Sequence, residues 1–218
     1  YSYEDFIRGY RPNKEGGFNL KNGKFYEFVL KATDDPDNKY FFIIDEINRG
    51  NLSKIFGELM MLIENDKRGE DYKMKLTYGN KDFYIPENIY IIGTMNTADR
   101  SLSLVDYALR RRFAFIDLKP EFKEKFIDFL ISKKISKEFA KDLVDKITTL
   151  NKKIEEDNLN LGKGFCIGHS YFTPNEEEIK NEKKWYLEIL QTEIEPLIKE
   201  YYFDQQDKAK TLIQDLYI

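Results

Sequence analysis

Apolar and polar positions follow two different rhythms along this chain, and the change falls near residue 119. Before it, short continuous apolar runs stand between turn signals. Phe41-Phe42-Ile43-Ile44, preceded by polar Asn38-Lys39, is too short for a buried helix. It predicts a strand covered on both faces, as in a parallel sheet. Ile89-Tyr90-Ile91-Ile92-Gly93 repeats the pattern, and Phe113 to Leu118 predicts a last strand. Asn22-Gly23 between Phe18-Asn19-Leu20 and Lys24-Phe25-Tyr26 predicts one hairpin, and Gly79-Asn80 between Lys73–Tyr78 and Asp82–Ile85 a second. Helical spacing marks three stretches. Tyr3, Phe6 and Tyr10 lie in a loop or short helix over Tyr1 to Pro12. Phe25, Phe28, Val29 and Ala32 form a stripe closed by Asp34-Asp35-Pro36. Asn51 then caps a helix from Leu52 to about Asn65, with Ile55, Phe56, Leu59, Leu62 and Ile63 inward. A further helix from about Leu104 ends in Arg110-Arg111-Arg112.

From Pro120 onward only helical patterns remain: Phe122 to Leu130, Lys137 to about Glu156, and Glu176 to Tyr217 with a break near Pro196. Thr173-Pro174-Asn175-Glu176 has the form of a capping box with Pro at the first helical position. The expected organisation is an α/β domain over residues 1–119 and an α-helical domain over 120–218. The tracts Lys152-Lys153 and Glu155-Glu156-Asp157 predict a solvated helix face.

Composition narrows the function classes. A net charge of −4 argues against a chain whose main task is gripping nucleic acid. One Cys (Cys166) and one His (His169) leave no disulfide framework or Cys/His zinc site within one chain and suit a reducing cytoplasm. No apolar run is long enough to span a membrane. The first residues, polar and aromatic without a Met, give the expectation of a piece cut from something longer.

Candidate chemistry gathers at the strand ends. Asp45-Glu46 follows the first apolar strand directly, the place where α/β proteins bind ligands. Asp45 suits Mg²⁺, a hard ion that takes oxygen ligands, and Glu46 suits positioning or deprotonating a water. This is the Walker B pattern of P-loop NTPases. Asn96 follows the second strand through Gly93-Thr94-Met95, and its amide can face phosphate and water without adding charge. Arg111 and Arg112 close a helix and suit charge stabilisation in a phosphoryl-transfer transition state. The residues alone also allow blander roles: Asn96 in a turn, Arg110 at a helix end favoured by the macrodipole, His169 in packing.

These segments resemble the AAA+ NTPases, and closely the McrB family, the GTPase subunits of modification-dependent restriction systems. The resemblance rests on Ile43-Ile44-Asp45-Glu46-Ile47-Asn48-Arg49-Gly50-Asn51-Leu52, on Gly93-Thr94-Met95-Asn96-Thr97-Ala98-Asp99-Arg100-Ser101-Leu102, and on Val105 to Phe113. Ile167-Gly168-His169-Ser170-Tyr171-Phe172 is similar to the family's lid segment. The Asp-Glu-Ile-Asn-Arg core is shared with MoxR-like and dynein-related ATPases, whereas Met95 to Arg100 is what points to McrB.

The resemblance implies a truncated AAA+ core, a parallel sheet flanked by helices, followed by an α-helical lid. It implies Asp45 as the Mg²⁺-side carboxylate, Glu46 as the catalytic one and Asn96 as the sensor at the γ-phosphate. Asp99, Arg100 and His169 would belong to nucleotide binding. Arg111 and Arg112 would be arginine fingers reaching a neighbouring subunit, and Asn48, Arg49 and Arg100 would lie at the subunit interface. The implied substrate is GTP. The implied partners are further copies in a ring, a McrC-like nuclease and stimulator, and DNA through a domain not in this chain. Hydrolysis would drive translocation. A MoxR-like ATPase that remodels proteins and a nucleotide-incompetent oligomerisation fragment are the alternatives. The sequence departs from the family in one respect: no Gly-x-x-x-x-Gly-Lys-Ser/Thr occurs in it. A fragment, a processed product or part of a split or degenerate gene is therefore expected, with nucleotide bound weakly or not at all by these residues alone.

Overall fold

The computed structural model describes residues 1–96, 98 and 107–218, the side chains of Tyr107 and Ala108 excepted. The expected helix start at Leu104 and the candidate residues Asp99 and Arg100 lie outside the described residues. The chain divides into two compact units, Tyr1–Ile116 and Asp117–Ile218.

In the first unit, strands β3 (Tyr40–Ile44) and β6 (Ile89–Gly93) pair in parallel, with Tyr40 opposite Ile89 and Ile44 opposite Gly93. Helix α2 (Lys24–Thr33) puts Phe25 and Phe28 against Phe42, each with ring centroids 5.0 Å from it. Phe6, from helix α1 (Tyr3–Phe6), and Phe56, from helix α3 (Leu52–Phe56), complete this aromatic core. The other face of the pair differs from expectation. Phe41, Ile43, Tyr90 and Ile92 are 54%, 64%, 44% and 44% exposed. The strands are apolar on both faces, but no described residue covers this one. Phe113 to Leu118 also differs, for a related reason. It forms no strand, and Ile116 and Leu118 are exposed. An extended segment becomes a strand only where a neighbour takes up its backbone hydrogen bonds.

Turn chemistry corrects two further expectations. The first hairpin joins β1 (Arg8–Pro12) to β2 (Phe18–Asn22). Asn22 ends β2, and Gly23 is the N-cap of α2 rather than the hairpin turn. The helix expected from Leu52 to about Asn65 stops at Phe56, where Gly57 takes φ +52°. The rest continues as a 3₁₀ turn, Gly57–Met60, and a further turn, and these still bury Leu59, Leu62 and Ile63. The second hairpin forms as expected but is shorter, β4 (Met74–Lys75) against β5 (Asp82–Phe83).

The break at Gly57 sets Glu58 where its carboxylate accepts from Tyr3 Oη at 2.6 Å and from the Thr77 amide at 2.7 Å. Burial pulls the Glu58 carboxyl upward, but these hydrogen bonds outweigh it and its pKa lies below the ordinary value. Burial, helped by Glu58, raises the Tyr3 hydroxyl. A depressed native pKa contributes stability that is complete above the unfolded carboxyl value, about 4.3, and is lost as pH falls through the native one. Glu58→Gln is expected to cost about 1 kcal/mol at neutral pH and to flatten the acid limb of the stability curve. Urea midpoints compared at neutral pH and near pH 4 check this; equal losses in both proteins on acidification would sink it.

The second unit is helical. Helix α5 (Glu124–Ser132) and helix α6 (Lys137–Glu156) are followed by α7 (Glu182–Ile189), α8 (Glu195–Tyr201) and α9 (Gln206–Gln214). Leu143, Ile147, Phe172, Ile194, Ile198 and Tyr202 are fully buried in its core. The span of α6 matches the sequence reading, with Ser136 as its N-cap. Thr173 to Glu176 does not start a helix. The segment after it is held against the end of α5 instead: Lys133 Nζ donates to the Glu176 carbonyl and the Ile179 amide to the Lys133 carbonyl, each at 2.8 Å. Helix α7 begins at Glu182, with Asn181 as its cap. Pro196 does not break the helix. It sits in the first turn of α8, after a π-helical turn over Leu190–Ile194. The break falls at Tyr202–Gln205.

Candidate nucleotide site

The candidate residues of the first unit gather where β3 and β6 end side by side. The parallel ladder continues past both strands: the Thr94 amide donates to the Ile44 carbonyl at 3.0 Å, and the Ile47 amide to the Thr94 carbonyl at 2.8 Å. Between those two bonds, the Thr94 hydroxyl donates to Asp45 Oδ1 and accepts from the Glu46 amide at 3.2 Å. Thr94 thus orients both acidic residues, one through its side chain and one through its backbone. The approach is close. A Cβ on Gly93 would lie 2.6 Å from Ile47 Cδ1, and Ile47 is buried, so a larger residue there would force the Ile47 side chain to shift.

Glu46 has φ +50° and ψ +49°, a left-handed conformation uncommon for a residue with a Cβ. Such conformations cost about 1–3 kcal/mol and cluster at functional sites. The chain therefore turns sharply just after Asp45. Arg49 Nε donates to Glu46 Oε2 at 2.5 Å, with the side chains 57% and 40% exposed. Ion pairs that open to water contribute about 0–1 kcal/mol, so Arg49 does not lock Glu46 away from a substrate.

Asn48 lies beside this turn. Its Nδ2 reaches the Asn96 carbonyl at 3.4 Å, and its Oδ1 is buried with no hydrogen-bond partner among the described residues. Asn96 is exposed, and its Oδ1 accepts from the Ala98 amide at 3.0 Å. That is an Asx turn, the blander role the residue type allows, and it leaves the amide group at the carboxyl end of β6. Asp45, Glu46, Asn48, Arg49 and Asn96 are therefore assembled at one sheet end.

The two arginines differ. After helix α4 (Tyr107–Arg110), Arg111 is exposed, whereas Arg112 turns inward to Glu64, with Nη2 and Oε1 2.7 Å apart. His169 belongs to the second unit. Its Nδ1 accepts from the Glu121 amide at 3.1 Å, and its ring meets Phe122 and Phe126 edge-on. Two residues went unnoticed in the sequence. Thr94 carried a usable signal, since it directly follows a strand parallel to the one that ends at Asp45. Glu64 carried none, because its partner lies far along the chain.

Residues 1–113 match the AAA domain family, dynein-related subfamily, and residues 142–210 match the McrB α-helical lid domain. The chain belongs to the McrB branch of the AAA family. It is 55% identical over 215 residues to the type IV methyl-directed restriction enzyme EcoKMcrB subunit of Escherichia coli K12, covering 96% of this chain and 47% of that protein. It is 29% identical over 209 residues to the type II restriction enzyme BsuMI component YdiS of Bacillus subtilis 168, covering 85% of this chain and 58% of that protein. The McrB-type chain thus spans about half the length of the curated relatives it matches. Its expected architecture, an α/β AAA unit followed by a helical lid, is the one observed. Among the described residues no helix is long and apolar enough to cross a membrane.

Proposed function

We propose that this chain forms part of the GTP-hydrolysing motor subunit of a McrBC-like modification-dependent restriction system. The observation that carries the reading is the Thr94 hydroxyl laced between Asp45 and the Glu46 amide at the ends of two parallel strands. Glu46 orients a water and takes its proton. Asn96 spans water and γ-phosphate. Asp45 and Thr94 offer oxygen donors that fit Mg²⁺, which binds through one or two carboxylates together with nucleotide phosphates. When bound, the ion neutralises phosphate charge. Asp99, Arg100 and His169 bind nucleotide, and Asn48, Arg49 and Arg100 line the interface between subunits of a cytoplasmic ring. A McrC-like nuclease supplies cleavage and stimulation, and hydrolysis drives translocation along DNA.

These 218 residues contain no phosphate-binding Gly-x-x-x-x-Gly-Lys-Ser/Thr loop. By themselves they are expected to bind nucleotide weakly, and a micromolar affinity for GTP in titration would overturn that. The wider reading is tested on the protein expressed from its complete reading frame. GTP turnover at least about tenfold above ATP turnover, raised by a nuclease partner and DNA, is expected. Preference for ATP would favour a MoxR-like remodeller, for which the dynein-related family match speaks.

A further inference from the structure

Glu64 and Arg112 form a partly enclosed ion pair at the turn after α4. Their side chains are 33% and 18% exposed, against 40% and 57% for the Glu46–Arg49 pair. Water screens such an enclosed pair much less than a surface one, and removing one partner leaves an uncompensated charge. Both ends are built in. Glu64 follows Leu62 and Ile63, which are 0% and 5% exposed. Its turn is clamped by Arg68, whose guanidinium donates to the Ile63 carbonyl at 2.9 Å and to the Ile89 carbonyl at 3.0 Å. Ile89 opens β6, the strand that leads into Thr94 and Asn96. At the other end, the Arg112 amide donates to the Leu109 carbonyl at 2.8 Å, Leu109 is buried, and Phe113 packs on the same core.

We propose that Glu64 is a positioning residue that holds Arg112 within its own subunit, so that the adjacent, exposed Arg111 is the arginine presented to a neighbouring nucleotide. The two arginines then divide the work. Arg112 fixes the backbone of the turn after α4 against the framework of β6. Arg111 stands on that turn, so its reach is set by the same strand that leads into Thr94 and Asn96. For Arg112 to act in a neighbour's site, it would have to give up an enclosed partner. This assignment rests on the reading that arginines act between subunits.

The test uses the protein expressed from its complete reading frame, with GTP turnover and half-saturation measured for Glu64→Ala, Arg112→Ala, the double variant, and the swap Glu64→Arg/Arg112→Glu. Each single variant is expected to lower saturated turnover at least about tenfold, with half-saturation within about threefold of wild type. The double variant is expected to be no worse than either single one, because both remove the same pair. The swap is expected to recover turnover to within about threefold of wild type. A double variant whose loss is the product of the single losses would overturn the proposal. So would a swap that unfolds cooperatively at the wild-type temperature yet stays as inactive as Arg112→Ala. If the swap does not fold, the double variant decides. A wild-type protein that hydrolyses neither GTP nor ATP would instead bring down the functional reading, and this assignment with it.

Discussion

Replacing Glu46 by Ala in the full-length protein is expected to lower nucleotide turnover by about 10²–10⁴-fold, the range lost with a positioned general base, while nucleotide binding stays near wild type. The structure gives reasons for both halves of this result. The Glu46 backbone is held by the Thr94 hydroxyl and by the 3₁₀ turn that follows, in which the Arg49 amide donates to the Glu46 carbonyl at 2.9 Å. Alanine keeps those bonds. It also carries a Cβ, as glutamate does, so the strain at φ +50° is nearly unchanged. What disappears is the carboxylate and its exposed pair with Arg49, which contributes under about 1 kcal/mol to folding. Glu46→Gln separates two roles. Glutamine can orient a water but cannot take its proton. Loss equal to that of alanine assigns proton acceptance; most of the activity retained assigns orientation. Phosphate release under saturating nucleotide measures turnover, and a fluorescent nucleotide titration measures binding. Turnover within threefold of wild type in Glu46→Ala would remove Glu46 from the mechanism.

Arg111→Ala is expected to lower turnover by about 10³–10⁵-fold, the scale of an arginine that stabilises transition-state charge. The variant should fold normally, because Arg111 is exposed and the turn is held by Leu109, Arg112 and Phe113. The decisive measurement mixes two inactive proteins. An Arg111→Ala subunit keeps its carboxylates, and a Glu46→Ala subunit keeps its arginine. Where the first supplies the nucleotide and the second the arginine, a complete site forms. Mixed assemblies are therefore expected to regain a substantial fraction of activity that neither protein shows alone. Absence of any recovery, in assemblies shown to contain both subunits, would mean that the arginine acts within its own chain or not at all.

Much of the candidate site was legible because its parts lie next to recognisable strands. Two apolar runs, each ending in polar residues, specified two parallel strands, and parallel strands bring their carboxyl ends together. Asp45, Glu46 and Asn96 followed from that alone. The α6 boundaries were also readable, since Ser136 and a long apolar period mark them locally. Other elements misled because their local signal met a stronger tertiary demand. Asn22-Gly23 has the composition of a hairpin turn, yet a Cβ on Gly23 would fall 2.4 Å from the Phe6 carbonyl carbon, and the close approach uses the glycine to start a helix. Thr173-Pro174-Asn175-Glu176 has the composition of a helix start, yet its neighbours are bound to the end of α5.

The sequence by itself determined the two-part architecture, the strands β3 and β6, and the identity of the acidic pair, because hydrophobic period and strand-end chemistry are written in consecutive residues. Only the tertiary structure decided that Thr94 binds both acidic residues, that Glu46 sits in a left-handed turn, and that Arg112 is held by Glu64 while Arg111 is exposed. Those contacts join residues about fifty positions apart in the chain. No local pattern encodes such a pairing; it comes from the parallel register of the strands and the packing of the turns around them.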